Sequence, residues 1–207
     1  MATSSPINIR VLDGDLGQKL PEMKQYDFVI PKTFSIESTV MAIYDGLKGR
    51  KVSRMTLICH GAGEMTHGEL AVRTGATVVL PGTRSHYANE VCKVYGGYGL
   101  FLGKDQLTLD NYHPFWQLNG CFTDKAVLEI CGCAAADVGP TVGGISGDGR
   151  RLMSKLASVT GISVRAPLLL QRVEQNWYLG IADRTAFVGP TYLFDPSGNC
   201  KEDTACY

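Results

Sequence analysis

The chain has 207 residues, 44% of them hydrophobic, which suits one packed domain of ordinary to large size and leads us to treat residues 1–207 as a single domain. Lys plus Arg equals Asp plus Glu at 20 each, so no net field exists to gather nucleic acid or an acidic membrane surface, and neither is expected as a partner. The opening "MATSSPINIR" has no basic-then-apolar leader and no later apolar run reaches ~18 residues, so a soluble, cytoplasmic protein is expected; seven cysteines in largely strand-like surroundings fit a reducing compartment.

In chain order, "INIRVL" alternates apolar and polar residues, and "YDFVI" and "RMTLIC" are short β-rich runs, giving three strands. Between the last two, Ile36, Val40, Ile43, Tyr44 and Leu47 recur at helical spacing after Ser35, a good amino-terminal cap. Residues 69–103 break into "ELAV", "TVVL" and "YGLFL" separated by Gly, Pro, Thr and Ser, and read as an insertion with short strands. "TLDNYHPFWQLNG" has room for a short helix around Phe115 to Leu118. "KAVLEICGC" is a buried, parallel-type strand interrupted only by Glu129.

"GDGRRLMSKLASVTG" reads as a helix with Asp148 at its start, Leu152, Met153, Leu156 and Val159 on one face, and Gly161 past its end. "ISVRAP" is the next strand, and residues 168–207, with "LLLQRV", "NWYLGI", "TAFV" and "TYLF", form a β-rich antiparallel extension. This βαβα order implies an α/β fold with an open, mostly parallel sheet flanked by helices.

In such sheets reactive groups collect at the carboxyl ends of the strands. Two strands here end in chemistry: one at His60 followed by Gly61, the other at Cys131, Gly132 and Cys133 followed by three alanines. An imidazole can take the proton of a thiol, hold the thiolate and return the proton to a leaving amine, so histidine and cysteine suffice for nucleophilic acyl transfer. Backbone N–H groups at Gly61 and Cys133 are candidate donors to the oxyanion.

"LICHG" and "VLEICGC" together resemble the clan CD cysteine peptidases, a group that includes caspases, legumains, gingipains, separases and CHAT-domain peptidases. The second block is closest to the CHAT and separase form, and the likeness in organisation covers roughly residues 36–167. The resemblance implies a three-layer caspase-like fold and a cysteine endopeptidase acting on a protein or peptide substrate. It implies that His60 is the general acid and base, that Gly61 serves the oxyanion hole, and that Cys133, after small Gly132, is the nucleophile. The separation of His60 from Cys133 exceeds the ~50 residues of caspases and "CAAAD" lacks their ending, so aspartate specificity is not implied. The alternative is a catalytically silent binding or scaffold module on the same fold.

Cys131 shares a strand face with Cys133 but continues the apolar run, so it is expected to be packed, at most touching substrate. Arg165 is a candidate partner for an acidic substrate side chain, and Glu64 or Asp137 for a basic one. No metal is expected: Cys59, His60, Cys131 and Cys133 lack zinc-site spacing, and adjacent Cys59 and His60 would point to opposite strand faces. No cofactor is expected either, since the glycines at 143, 144, 147 and 149 form no phosphate-binding motif.

Overall fold

The computed structural model describes residues 5–14, 26–61, 96–139, 141, 144, 146–168 and 190–203. Its central sheet has seven strands among the described residues. They are β1 (Ile7–Asp13), β2 (Asp27–Ile30), β3 (Val52–Ile58), β7 (Phe122–Cys131), β8 (Ser163–Pro167), β9 (Thr191–Phe194) and β10 (Cys200–Asp203). They lie in the order β10-β9-β8-β7-β3-β1-β2. The five strands from β2 to β8 are parallel, while β9 and β10 are antiparallel to their neighbours. A second, three-stranded antiparallel sheet joins β4 (His60–Gly61), β5 (Leu100–Leu102) and β6 (Asp105–Leu107).

The helices form where the sequence gives them ends. Helix α1 (Ile36–Leu47) starts where Ser35 Oγ accepts from the Ser38 N–H, and it stops at Lys48, whose φ of 50° leaves the helical region. Helix α2 (Gly149–Thr160) is capped by Asp148, whose carboxylate accepts from the Arg151 N–H, and is closed by Gly161 at φ 71°. A 3-10 helix spans His113–Leu118.

Chain order explains where these helices lie. From β2 to β3, β7 and β8 each parallel strand falls further to the same side, so the usual right-handed crossover rule puts α1, the 3-10 helix and α2 over the same face. Accordingly the 3-10 helix packs against both α1 and α2. Beneath them runs the apolar stripe of the sheet: Ile9 and Val11, Met55 and Leu57, Leu128 and Ile130, Val164 and Ala166. Full burial of one such side chain contributes about 1.5–3 kcal/mol, so this layer dominates the stability of the sheet.

The alternate residues of the same strands point to the opposite face, and there the chemistry changes. Asp27, Arg10, Thr56, Glu129 and Arg165 are successive cross-strand partners from β2 to β8. Glu129, only 2% exposed, accepts a 3.0 Å hydrogen bond from Arg165 Nη1 and a weaker 3.5 Å one from Thr56 Oγ1, with Arg54 3.9 Å away. Arg165 also donates from Nε to Asp203 at 2.9 Å, which ties edge strand β10 to the middle of the sheet. At the other end Arg10 is paired with Asp27. The glutamate that interrupts "KAVLEICGC" is therefore a buried carboxylate held by cations on neighbouring strands, an arrangement that burial demands.

The observed architecture is mixed α/β with a mostly parallel sheet. All three described helical segments lie on one face, and the second helical layer of the expected three-layer fold is not among the described residues. Strands β6 and β10, short and rich in charge, were not legible in the sequence, and "FTD" extends β7 beyond its apolar run. "ELAV", "TVVL", "LLLQRV", "NWYLGI" and "TAFV" lie outside the described residues; of the expected insertion only residues 96–103 are described, and they end in β5.

Candidate active site

Strand β3 leaves the central sheet just before the histidine. The last bond of the β3–β7 ladder runs from the Cys59 N–H to the Cys131 carbonyl at 3.4 Å, and the next two residues join the small sheet, His60 opposite Phe101 and Gly61 opposite Leu100. On β7 the strand ends at Cys131, and Gly132 leads into a turn over residues 133–136. Ala134 takes φ 48° and Asp137 donates its N–H back to the Ala134 carbonyl at 3.1 Å, which closes that turn.

The two chain ends meet backbone to backbone. A Cβ built on Gly61 would lie 2.0 Å from the carbonyl oxygen of Cys133 and 2.8 Å from its nitrogen, so no side chain fits between them. His60 and Cys133, predicted as a pair from sequence, thus stand on adjoining backbone, and both are half-buried. A glycine after the histidine is needed for this contact.

The rest of the turn is gripped just as closely. A Cβ on Gly96 would come within 2.2 Å of the Ala134 methyl, one on Gly97 within 2.2 Å of the Asp137 carbonyl, and one on Gly149 within 2.2 Å of the Ala135 carbonyl. The Ala136 N–H donates to the Pro167 carbonyl at the end of β8 at 2.9 Å. This explains "AAA": all three alanines are buried, with backbone from several directions against them. Gly96 and Gly97 were not singled out from sequence, although the "GG" of "YGGYG" was a visible sign of close approach; Gly149 was weighed only as part of a phosphate loop.

The neighbouring thiols differ sharply in their surroundings. Among the described residues Cys59, Cys121, Cys131, Cys133 and Cys200 are thiols outside any disulfide. Cys59 and Cys131 are each 4% exposed. Burial, then the Asp13 carboxylate and then Cys133 push the Cys59 thiol far above the usual range. Burial, then Glu129 and then Cys59 do the same to Cys131. Neither can ionise near neutrality. Cys133, beyond Gly132, is the one of the three that is only half-buried.

The candidate recognition residues have other attachments. Asp137 accepts from the Gly96 N–H at 2.9 Å with one carboxylate oxygen and from the Val138 N–H at 2.8 Å with the other, so it organises the turn. Arg165 is held by Glu129 and Asp203. Cys131 is packed in the sheet, and Glu64 lies outside the described residues. Among the described residues no three of His, Cys, Asp and Glu are grouped as metal ligands, and no helix is long and apolar enough to cross a membrane.

A cavity of about 430 Å³ lies at the opposite end of the sheet, lined by residues that include Lys48, Arg50, Lys51, Asn119 and Cys121. Two of its cations serve the local backbone: Arg50 Nε donates to the Leu47 carbonyl at the end of α1, and Lys51 Nζ to the Gly120 carbonyl. It is separate from His60 and Cys133.

The fold is that of an α/β protein in which the residue after His60 meets the backbone of Cys133 beyond the carboxyl ends of adjacent parallel strands. Comparison with known proteins finds no matching family model, no matching curated protein and no matching solved structure.

Proposed function

We propose that the protein is a cysteine endopeptidase in which Cys133 is the nucleophile and His60 the general acid and base. The observation that supports this reading is the backbone contact of Gly61 with Cys133, which brings the chain just after His60 against the turn that bears half-buried Cys133, beyond the ends of β3 and β7. The burial of Cys59 and Cys131 supports Cys133 over its neighbours.

In this mechanism His60 takes the Cys133 proton, and the thiolate attacks the carbonyl carbon of the scissile peptide bond. Charge on the resulting oxyanion is met by the N–H groups of Gly61 and Cys133. Collapse breaks the C–N bond as the imidazolium gives its proton to the leaving amine, leaving a thioester on Cys133. A water, deprotonated by His60, then attacks the thioester carbonyl. The second collapse breaks the C–S bond, releases the carboxylic acid and restores the thiol. The caspase-like fold and the kinship with clan CD peptidases belong to the same proposal.

With Asp137 and Arg165 engaged within the protein, a charged preference at the residue before the cleaved bond would fall to Glu64 or to groups outside the described residues. The test is labelling with a peptide electrophile at neutral pH, followed by cleavage profiling on a peptide library. Selective modification of Cys133 with turnover supports the peptidase. Equal, slow modification of all accessible thiols with no turnover supports a silent binding module.

A further inference from the structure

Asp13 ends β1 as a buried carboxylate, 4% exposed, at the point where successive strand connections from β1 turn to opposite sides of it. Nothing in the sheet calls for a charge there, since Ile9 and Val11 on the same face of the strand are packed in the apolar core. A carboxylate so placed needs a partner. Its Oδ1 accepts a 2.9 Å hydrogen bond from the Gly103 N–H.

Gly103 is the tip of the hairpin between β5 and β6. It takes φ 67°, and a Cβ on it would lie 2.3 Å from the Phe34 carbonyl oxygen. The Lys104 N–H donates to that same carbonyl at 2.9 Å, and the Asp105 carboxylate accepts from the Ile36 N–H at the start of α1 at 3.2 Å. The hairpin is thus fastened by its tip to β1 and to the entrance of α1. Its first strand, β5, pairs Phe101 with His60 and Leu100 with Gly61. An unbroken series of hydrogen-bonded or paired residues runs from Asp13 through Gly103 and β5 to His60, while Cys133 is carried by the central sheet.

We propose that Asp13 is a positioning residue: by holding the Gly103 N–H it fixes the β4–β5–β6 sheet and so sets the imidazole of His60 against the thiol of Cys133. Asp13 touches no reacting atom, and the catalytic consequence rests on the peptidase reading. The mechanical part stands on the hydrogen bond alone. An acceptor is required at this position and a charge is not, so asparagine, which keeps an oxygen in the same place, replaces it.

The experiment compares Asp13→Asn and Asp13→Ala with the wild type in the full chain by amide hydrogen exchange, by NMR of the His60 ring and by peptide turnover. In Asp13→Ala the amides of Gly103, Phe101 and His60 exchange at least about tenfold faster while those of β7 are unchanged, and the His60 ring resonances broaden or shift. kcat falls by about 10²-fold with KM little altered, as expected when a catalytic group is misplaced. Asp13→Asn stays within about threefold of the wild type in every readout. Wild-type exchange in Asp13→Ala, or Asp13→Asn behaving like Asp13→Ala, overturns the proposal. Should Asp13→Ala fail to fold, Asp13→Ser, too short to reach Gly103, is read by the same criteria; unfolding of both overturns a positioning role in favour of a structural one. If the wild type neither turns over peptides nor labels at Cys133, the peptidase reading falls, and exchange and ring NMR still decide the role of Asp13.

Discussion

Alanine at position 61 would place a methyl carbon 2.0 Å from the carbonyl oxygen of Cys133 and 2.8 Å from its carbonyl carbon and nitrogen. All three are backbone atoms of a turn that is itself gripped by Gly96, Gly97 and Gly149, so no rotamer change relieves the clash and the chain must part. Overpacking of this kind costs about 3 kcal/mol. For a domain of this size that lowers Tm by roughly 6–12 °C. Gly132→Ala is the internal comparison, because its methyl would meet Leu100 Cδ2 at 2.8 Å and Cys59 Sγ at 3.5 Å, side-chain atoms that can shift for about 1 kcal/mol. Calorimetry gives the stabilities, and the rate of Cys133 modification by iodoacetamide at neutral pH gives the state of the site. We expect Gly61→Ala to melt far below Gly132→Ala and to lose about 10²-fold in peptide turnover, since separating the strands moves His60 from the thiol. If Gly61→Ala melts within roughly 2 °C of the wild type and labels at the same rate, the backbone contact does not exist and the case for the pair collapses.

Cys133→Ala should abolish turnover and covalent labelling with the fold intact, Cys131→Ala should keep measurable turnover, and His60→Ala should lose turnover yet label slowly; a dead Cys131→Ala beside an active Cys133→Ala would reverse the assignment. Glu129→Gln should cost about 3 kcal/mol in urea unfolding, because it leaves Arg165 and Arg54 beside a neutral buried amide, and a cost below about 1 kcal/mol would show that Glu129 is solvated. The raised thiol pKa values set the alkaline limb of stability: the unfolded chain loses these protons first, so the contribution of Cys131 is complete below the ordinary thiol range near ~8.5 and is lost as pH rises above it. Cys131→Ala should therefore lose less stability than the wild type between roughly pH 8 and 10, and parallel curves would count against a buried thiol. Asp148→Ala should cost about 1 kcal/mol through loss of the α2 cap, read from the denaturation midpoint.

Periodicity and capping carried most of the central sheet. Ser35 and Asp148 cap the helices the sequence marks, and Gly161 ends the second in the left-handed conformation expected of it. "INIRVL", "YDFVI", "RMTLIC" and "ISVRAP" are strands because β-branched and long apolar residues fill two-sided positions. Hidden from the sequence were elements defined by pairing alone. The three-residue strand at Asp105–Leu107 exists because its hairpin with Leu100–Leu102, which "YGLFL" did mark, is held by Asp13 and Phe34, contacts remote in the chain. The terminal β10 carries Lys201, Glu202 and Asp203, which have no strand pattern, and Asp203 is held there by Arg165. The candidate site was visible in the sequence only as two residue types after two strands. What was not legible was that glycines and alanines hold it together, because a small residue signals close approach without naming its partner.

The turn that bears Cys133 receives the chain twice: Gly61 presses on Cys133 and Gly96 presses on Ala134, one residue further along. The polypeptide departs and comes back at a single doorway, with both jambs fixed by backbone contact. Gly61 and Gly96 thus stand at neighbouring points of one short turn, and for a flexible connection between two points so close each doubling of length adds only about 0.6 kcal/mol in entropy. A short glycine and serine bridge from Gly61 to Gly96 should leave the central sheet standing, which the denaturation midpoint of the shortened chain would show.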